Sequence, residues 1–158
     1  GLINQKSLEN LNNKIINTHM GLLPHYKGMD VVESPLLDGH LDAVALNTHL
    51  MTKGLDEGPL IQLMSFNPDD YAFIGELRNE ISAFLPIIAL DSLCGLASGR
   101  LKPIIQDPNL GKQYFFVENR LISMLNDVMS SRNNNLSNQI HRNKNIELFN
   151  NFVELFLK

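Results

Sequence analysis

The chain has 158 residues, of which 44% are hydrophobic and 19% charged, enough for one domain with a real core and a balance that excludes wholesale disorder. A net charge of −4 with no Lys/Arg cluster interleaved with aromatics argues against a general nucleic-acid binder. No stretch approaches the roughly 18 consecutive apolar residues of a membrane helix. The polar N-terminus carries no signal-peptide pattern, so a cytoplasmic location is expected.

Ser7 to Asn13 reads as a short helix with Ser7 as its N-cap and Leu8 and Leu11 on one face. Lys14 to Asn17 is then a buried strand of a parallel sheet. His19 to Met29 is a loop punctuated by Gly21, Pro24 and Gly28. Asp30 to Leu37 makes one or two helical turns, with Asp30 capping and Val31, Val32 and Leu36 facing inward. Asp42 to Met51 alternates through Val44, Leu46, Thr48 and Leu50, the period of a strand. The loop Thr52 to Pro59 leads to a strand from Leu60 to Met64.

Asn67-Pro68-Asp69-Asp70 starts a helix over Tyr71 to Ala97, with Phe73, Ile74, Leu77, Ile81, Phe84, Leu85 and Ile88 at helical spacing. Pro86 predicts a kink and Gly99 a C-cap. The single cysteine, Cys94, excludes an intrachain disulfide and reads as a small core residue of a reducing compartment. Lys102 to Phe116 is extended, with a bend at Asp107 to Gly111. Asn119 to Met129 is a helix with Leu121, Ile122, Leu125 and Val128 as its apolar stripe. Ser130 to Asn145 is polar and asparagine-rich, and Ile146 to Leu157 forms a last amphipathic helix with Phe149, Phe152, Val153 and Phe156. A division follows: residues 1–118 as the α/β unit and 119–158 as a helical extension.

The chemistry is concentrated in two segments. Ile15-Ile16 runs into Asn17 and His19 at i and i+2, a strand delivering two polar side chains at the end where open α/β sheets bind ligands. On a second loop, Gly54-Leu55-Asp56-Glu57-Gly58-Pro59, a glycine-flanked acid can complete a three-residue site. Taken singly, Asn17 is a turn-former and Asp56 a turn acid. His25 and His40 have no partner pattern and read as surface-loop residues. A zinc site from His19, His25 and Asp56 lacks a thiol or a close ligand pair and is rejected, leaving no metal site.

Asn17-x-His19-x-Gly21-Leu22-Leu23-Pro24-x-Tyr26-Lys27-Gly28, followed by Leu55-Asp56-Glu57-Gly58-Pro59-Leu60-Ile61-Gln62, resembles the folate-dependent formyltransferase family of glycinamide ribonucleotide, methionyl-tRNA and sugar N-formyltransferases. The resemblance covers residues 1 to about 118 and weakens after Gln62, with Gly111-Lys112-Gln113-Tyr114-Phe115 as a further echo. It implies a Rossmann-like mixed sheet flanked by helices, and formyltetrahydrofolate as formyl donor. It also implies direct attack by a small-molecule amine on the formyl carbon. By the same resemblance Asn17 donates to the developing oxyanion, a protonated His19 is a second donor, and Asp56 holds His19 in the correct charge state, since a nearby carboxylate raises an imidazole pKa, and helps remove the amine's proton. Leu2, Ile3, Gly54, Leu55 and Gly58 are then expected along the folate, with His49 and Gly21 behind the catalytic residues.

Two departures stand out. Many members have Pro-Ser after the histidine, where this chain has Met20-Gly21. Members also carry several βα units before the Asn-x-His strand, which here begins near residue 14. The chain therefore reads as the C-terminal part of a longer protein, its first strand leaving an apolar edge to be covered by a missing segment or by self-association. The 40 residues after position 118 are not a basic barrel, which argues against tRNA, and Met20-Gly21 argues against a purine-pathway role. A nucleotide-linked amino sugar is the expected acceptor. The alternatives are methionyl-tRNA formyltransferase, a formyl-folate hydrolase, and a non-catalytic interaction domain of the same fold.

Overall fold

The computed structural model describes residues 14–132, together with Lys6 and Leu11. Strands β1 (Ile16–His19), β3 (Ala45–Leu50) and β4 (Leu60–Ser65) form one sheet in the order β1-β3-β4, antiparallel at both junctions. Strand β2 (Tyr26–Gly28) pairs in parallel with β5 (Lys112–Tyr114) in a second, two-stranded sheet. The helices are α1 (Glu33–Leu37), α2 (Ile74–Ala97) and α3 (Asn119–Arg132).

The central strand β3 is buried at its first five positions, and its two faces do different work. Leu46 points into the main core with Val44, Phe66, Leu77, Ile81 and Phe84, and Thr48 on the same face hydrogen-bonds Ser92 of α2 through its hydroxyl (2.6 Å). Asn47 and His49 face the other way, as strand alternation demands. Helix α2 is apolar and, at 24 residues, long enough to cross a bilayer. One face is nevertheless the core of this domain, through Leu77, Ile81, Phe84 and Ile88. Helix α3 closes the same core with Met129, and Asn126 Oδ1 accepts from the backbone N–H of Ile74 at the start of α2 (2.9 Å).

Several expectations change. The first strand runs over 16–19 rather than 14–17 and is antiparallel, because its partner is β3. Asn17 and His19 consequently lie within the ladder instead of beyond its end. The loop expected over 19–29 contains β2. Asp30 does not cap α1: it adopts a positive φ of 46°, and its carboxylate accepts from Arg78 (2.7 Å) and from the backbone of Val117 (2.8 Å). Only its carbonyl serves the helix, taking the N–H (3.0 Å) and hydroxyl (2.8 Å) of Ser34. Helix α2 starts at Ile74 because Pro68–Asp70 forms a 3₁₀ turn capped by Asn67.

Pro86 lies inside α2, Ser98 is the C-cap, and Gly99 follows with a positive φ of 74°. Cys94 is exposed, not core. The buried positions of α2 run 74, 77, 81, 84, 88, 92 and 95, and helical spacing turns residue 94 away from that stripe. Helix α3 continues through Ser130 to Arg132, into the start of the expected polar tract. The helices expected over 7–13 and 146–157, and the rest of the asparagine-rich tract, lie outside the described residues.

Leu77 has no exposed surface, so Leu77→Ala should destabilise the protein by about 2–5 kcal/mol. Leu93→Ala, on the outward face of the same helix, should stay within about 0.5 kcal/mol. Denaturant melts of the two variants give the comparison.

Candidate active site

The β1–β3 register places Asn17 opposite His49 and His19 opposite Asn47, on the sheet face away from α2, so cross-strand pairing assembles the polar cluster. The Nδ1 atom of His49 lies 2.9 Å from the carbonyl of Leu50. A carbonyl only accepts, so Nδ1 carries the proton and Nε2 is an acceptor. Asn17 Nδ2 supplies the matching donor at 3.1 Å. One amide hydrogen of Asn17 is thereby fixed and the other is left for the cavity. His19 donates through Nε2 to the carbonyl of Tyr26 (2.8 Å), which leaves Nδ1 as its reactive nitrogen, 3.5 Å from Asp56 Oδ2. Asn47 donates to the carbonyl of Gly21. A Cβ on Gly21 would stand 2.9 Å from His19 Nε2 and 2.8 Å from the Tyr26 carbonyl oxygen, so the turn after His19 excludes a side chain there.

Asp56 arrives on the β3–β4 loop in a left-handed conformation, φ 53°. Its Oδ2 accepts from the backbone N–H of Gly28 (2.9 Å), and its Oδ1 lies 3.6 Å from His49 Nε2. Gly28 has φ 98°, and a Cβ there would come within 2.4 Å of the Tyr114 carbonyl oxygen; at Gly58 a Cβ would meet that of Leu50 at 1.7 Å. Both positions therefore require glycine. Buried Lys27 reaches Glu57 Oε1 at 3.6 Å. Gln106, also buried, donates its amide to the carbonyls of Asp56 (2.9 Å) and Gly58 (2.5 Å). The Oε1 of Gln106 has no hydrogen-bond partner among the described residues, an omission that costs about 1–3 kcal/mol.

Burial pushes the Asp56 carboxyl upward, but the adjacent His49 ring, the field of His19 and the Gly28 N–H outweigh it and hold the group below its ordinary range. For His19 the balance falls the other way. Burial lowers its pKa more than Asp56 and the Tyr26 carbonyl raise it. The imidazole charged at neutral pH, expected from the neighbouring acid, is therefore replaced by one that burial keeps neutral at rest.

Asn17, His19, His49, Gly54, Leu55 and Asp56 line one cavity of about 460 Å³, within the range of small-molecule sites. Gln113 of β5 also reaches it. Gly58, on the same loop, is not on the cavity wall, and Leu2 and Ile3 fall outside the described residues. A second cavity of about 300 Å³ shares Thr18, His19, Gly28 and Met29 with the first and extends to Arg78, which Glu33 and Asp30 hold. His25 and His40 are exposed, and His40 Nδ1 pairs with the Tyr26 hydroxyl at 2.8 Å, a contact the sequence did not indicate. Strand alternation around His49 could have revealed Asn47. Nothing local points to Gln106, whose partners lie some fifty positions away.

The two shifts make the protein acid-labile in two stages. His19 has a folded pKa below its unfolded 6.5, so stability should decline as pH falls below 6.5. Asp56, also depressed, adds a second loss as pH falls from its unfolded value of 3.8 through its folded one. His19→Gln should remove the first stage and, by taking away the field of His19 on Asp56, shrink the second, read from denaturant midpoints across pH.

Residues 1–69 match the family model described as formyl transferase. Methionyl-tRNA formyltransferase of Heliobacterium modesticaldum is 31% identical over 94 residues, 58% of this chain and 29% of that protein. Glycinamide ribonucleotide transformylase 1 from Symbiobacterium toebii superposes with a TM-score of 0.57 at 29% identity, over 68% of this chain and 52% of that one. The formyltransferase PseJ from Anoxybacillus kamchatkensis was solved in complex with UDP-4,6-dideoxy-4-formamido-L-AltNAc and tetrahydrofolate. It gives 0.59 at 20% identity, over 72% of this chain and 59% of that one. The matched stretch spans about three tenths of the curated relative and just over half of each solved chain. The fold is the Rossmann-like α/β fold of the formyltransferases, in part.

Proposed function

We propose that this chain, whose residues 1–69 match the formyl transferase family model, carries the catalytic centre for moving a formyl group from formyltetrahydrofolate to a primary amine. The observation that carries the reading is the convergence of Asn17, His19 and Asp56 on one cavity, with the donors and acceptors of Asn17, His19 and His49 already assigned by their neighbours. Amine attack on a formyl carbon concentrates negative charge on one oxygen. Asn17 meets that oxygen with its second N–H, held in place because His49 occupies the first. His19, neutral at rest, takes the proton that the attacking amine sheds at Nδ1 and returns it to the folate nitrogen as the C–N bond breaks. Asp56 stabilises the transient imidazolium and does not itself need to change protonation.

The cavity is large enough for part of a folate, and Gly54 and Leu55 are the described wall residues we assign to it, with Leu2, Ile3 and Gly58 as further candidates. His19 and Gly28 border both cavities, so the formyl group would sit in the larger while the amine approaches through the smaller. A nucleotide-linked amino sugar is the preferred acceptor. The sugar nucleotide bound by PseJ and the Met20-Gly21 turn support it.

Incubating the protein that carries this chain with formyltetrahydrofolate and, in turn, a UDP-linked 4-amino sugar, glycinamide ribonucleotide and methionyl-tRNA should yield tetrahydrofolate only with the sugar. Asn17→Ala should lower kcat by about 10²–10³ and His19→Ala by about 10²–10⁴. Formate release independent of any amine would assign a hydrolase instead. Turnover insensitive to both substitutions would remove the catalytic reading.

A further inference from the structure

We propose that Gln106 is a positioning residue for this reaction: by donating to the carbonyls of Asp56 and Gly58 together, its buried amide sets the Asp56 carboxylate against His19. The inference rests on the assignment of Asp56 as the acid that acts on His19. It concerns a residue outside the 1–69 stretch that matches the family model.

Asp56 is one of two non-glycine residues with positive φ among those described, a conformation that persists where the surroundings over-determine it. The carboxylate is held by Gly28 and faces two histidines, but none of these contacts fixes the backbone that carries it. Gln106 does so. Its own main chain is anchored two residues earlier, where Ile104 exchanges both backbone hydrogen bonds with Leu60 at the start of β4 (2.7 and 2.8 Å). From this fixed point one amide nitrogen spans the loop and ties its residues 56 and 58 to the sheet.

The chemistry is selective for the side chain. Both partners are carbonyls, so the contact needs a nitrogen with two hydrogens. Glutamate would turn an acceptor toward two acceptors, leucine or methionine would offer none, and asparagine is one methylene short. The same requirement settles the amide orientation and explains why Oε1 is left without a partner. The site tolerates an unmatched acceptor in exchange for a doubly bonded donor.

The experiment reads the His19 imidazole by NMR titration in the unsubstituted chain, Gln106→Met, Asp56→Asn and the double variant. This readout does not depend on turnover. If Gln106 acts through Asp56, Gln106→Met should lower the His19 pKa in the same direction as Asp56→Asn. It should then add nothing in the Asp56→Asn background. Kinetically, kcat should fall about 10–100-fold with a much smaller change in KM for the formyl donor.

An unchanged His19 titration in folded Gln106→Met, or an equal shift with and without Asp56, would overturn the proposal. The second result would mean general loosening instead. If Gln106→Met does not fold, Gln106→Asn, uncharged but one methylene short, must give the same non-additive shift. A protein that shows this pattern yet transfers no formyl group keeps the positioning role and loses the reaction.

Discussion

The pairing of β1 with β3 is the interaction on which the site depends. In an antiparallel ladder each residue faces one partner, so a single register choice brings Asn17 to His49 and His19 to Asn47. A slip by one position would turn all four side chains into the apolar core. Leu46 and Thr48 on the opposite face prevent the slip, since each has a specific partner against α2 or within the core. The chemistry is thus enforced by packing on the reverse side of the same strand.

Around this frame the loop bearing Asp56 is held from several directions, by Gly28 and Lys27 of β2, by the end of β3, and by Gln106. Two of the tightest approaches, at Gly28 and Gly58, are backbone against backbone. The geometry of the acid is therefore set by these main-chain approaches together with the Gln106 amide.

Much of this was legible in the sequence, and the reasons for the gaps are physical. Strand and helix periods located β3, β4 and α2 because their apolar faces are long enough to be read. The glycine-flanked Asp56 and the Asn17-x-His19 pair stand out as residue types at close spacing. The antiparallel sense of β1 did not, since four residues of strand carry no mark of partner direction. Cys94 was misplaced because an apolar run was read without its phase on the helix, where Ser92 and Gly95 take the buried positions and Cys94 does not. The charge of His19 was misjudged for a similar reason: a neighbouring acid is visible in a motif, whereas burial is a property of the whole fold. Gln106 lay beyond reach, for its meaning resides in two distant carbonyls.

The double duty of β3 limits how this protein can vary. Thr48 answers to Ser92 on one side, while Asn47 and His49 answer to Gly21 and Asn17 on the other. No residue from 45 to 49 faces solvent. A substitution in the middle of α2 that displaced this strand by a fraction of an ångström would reach the donor set without touching it. Innovation in substrate use is therefore left to the rims, where Met29, Lys53 and Gln113 meet the cavity and can change without disturbing the strand between the two faces.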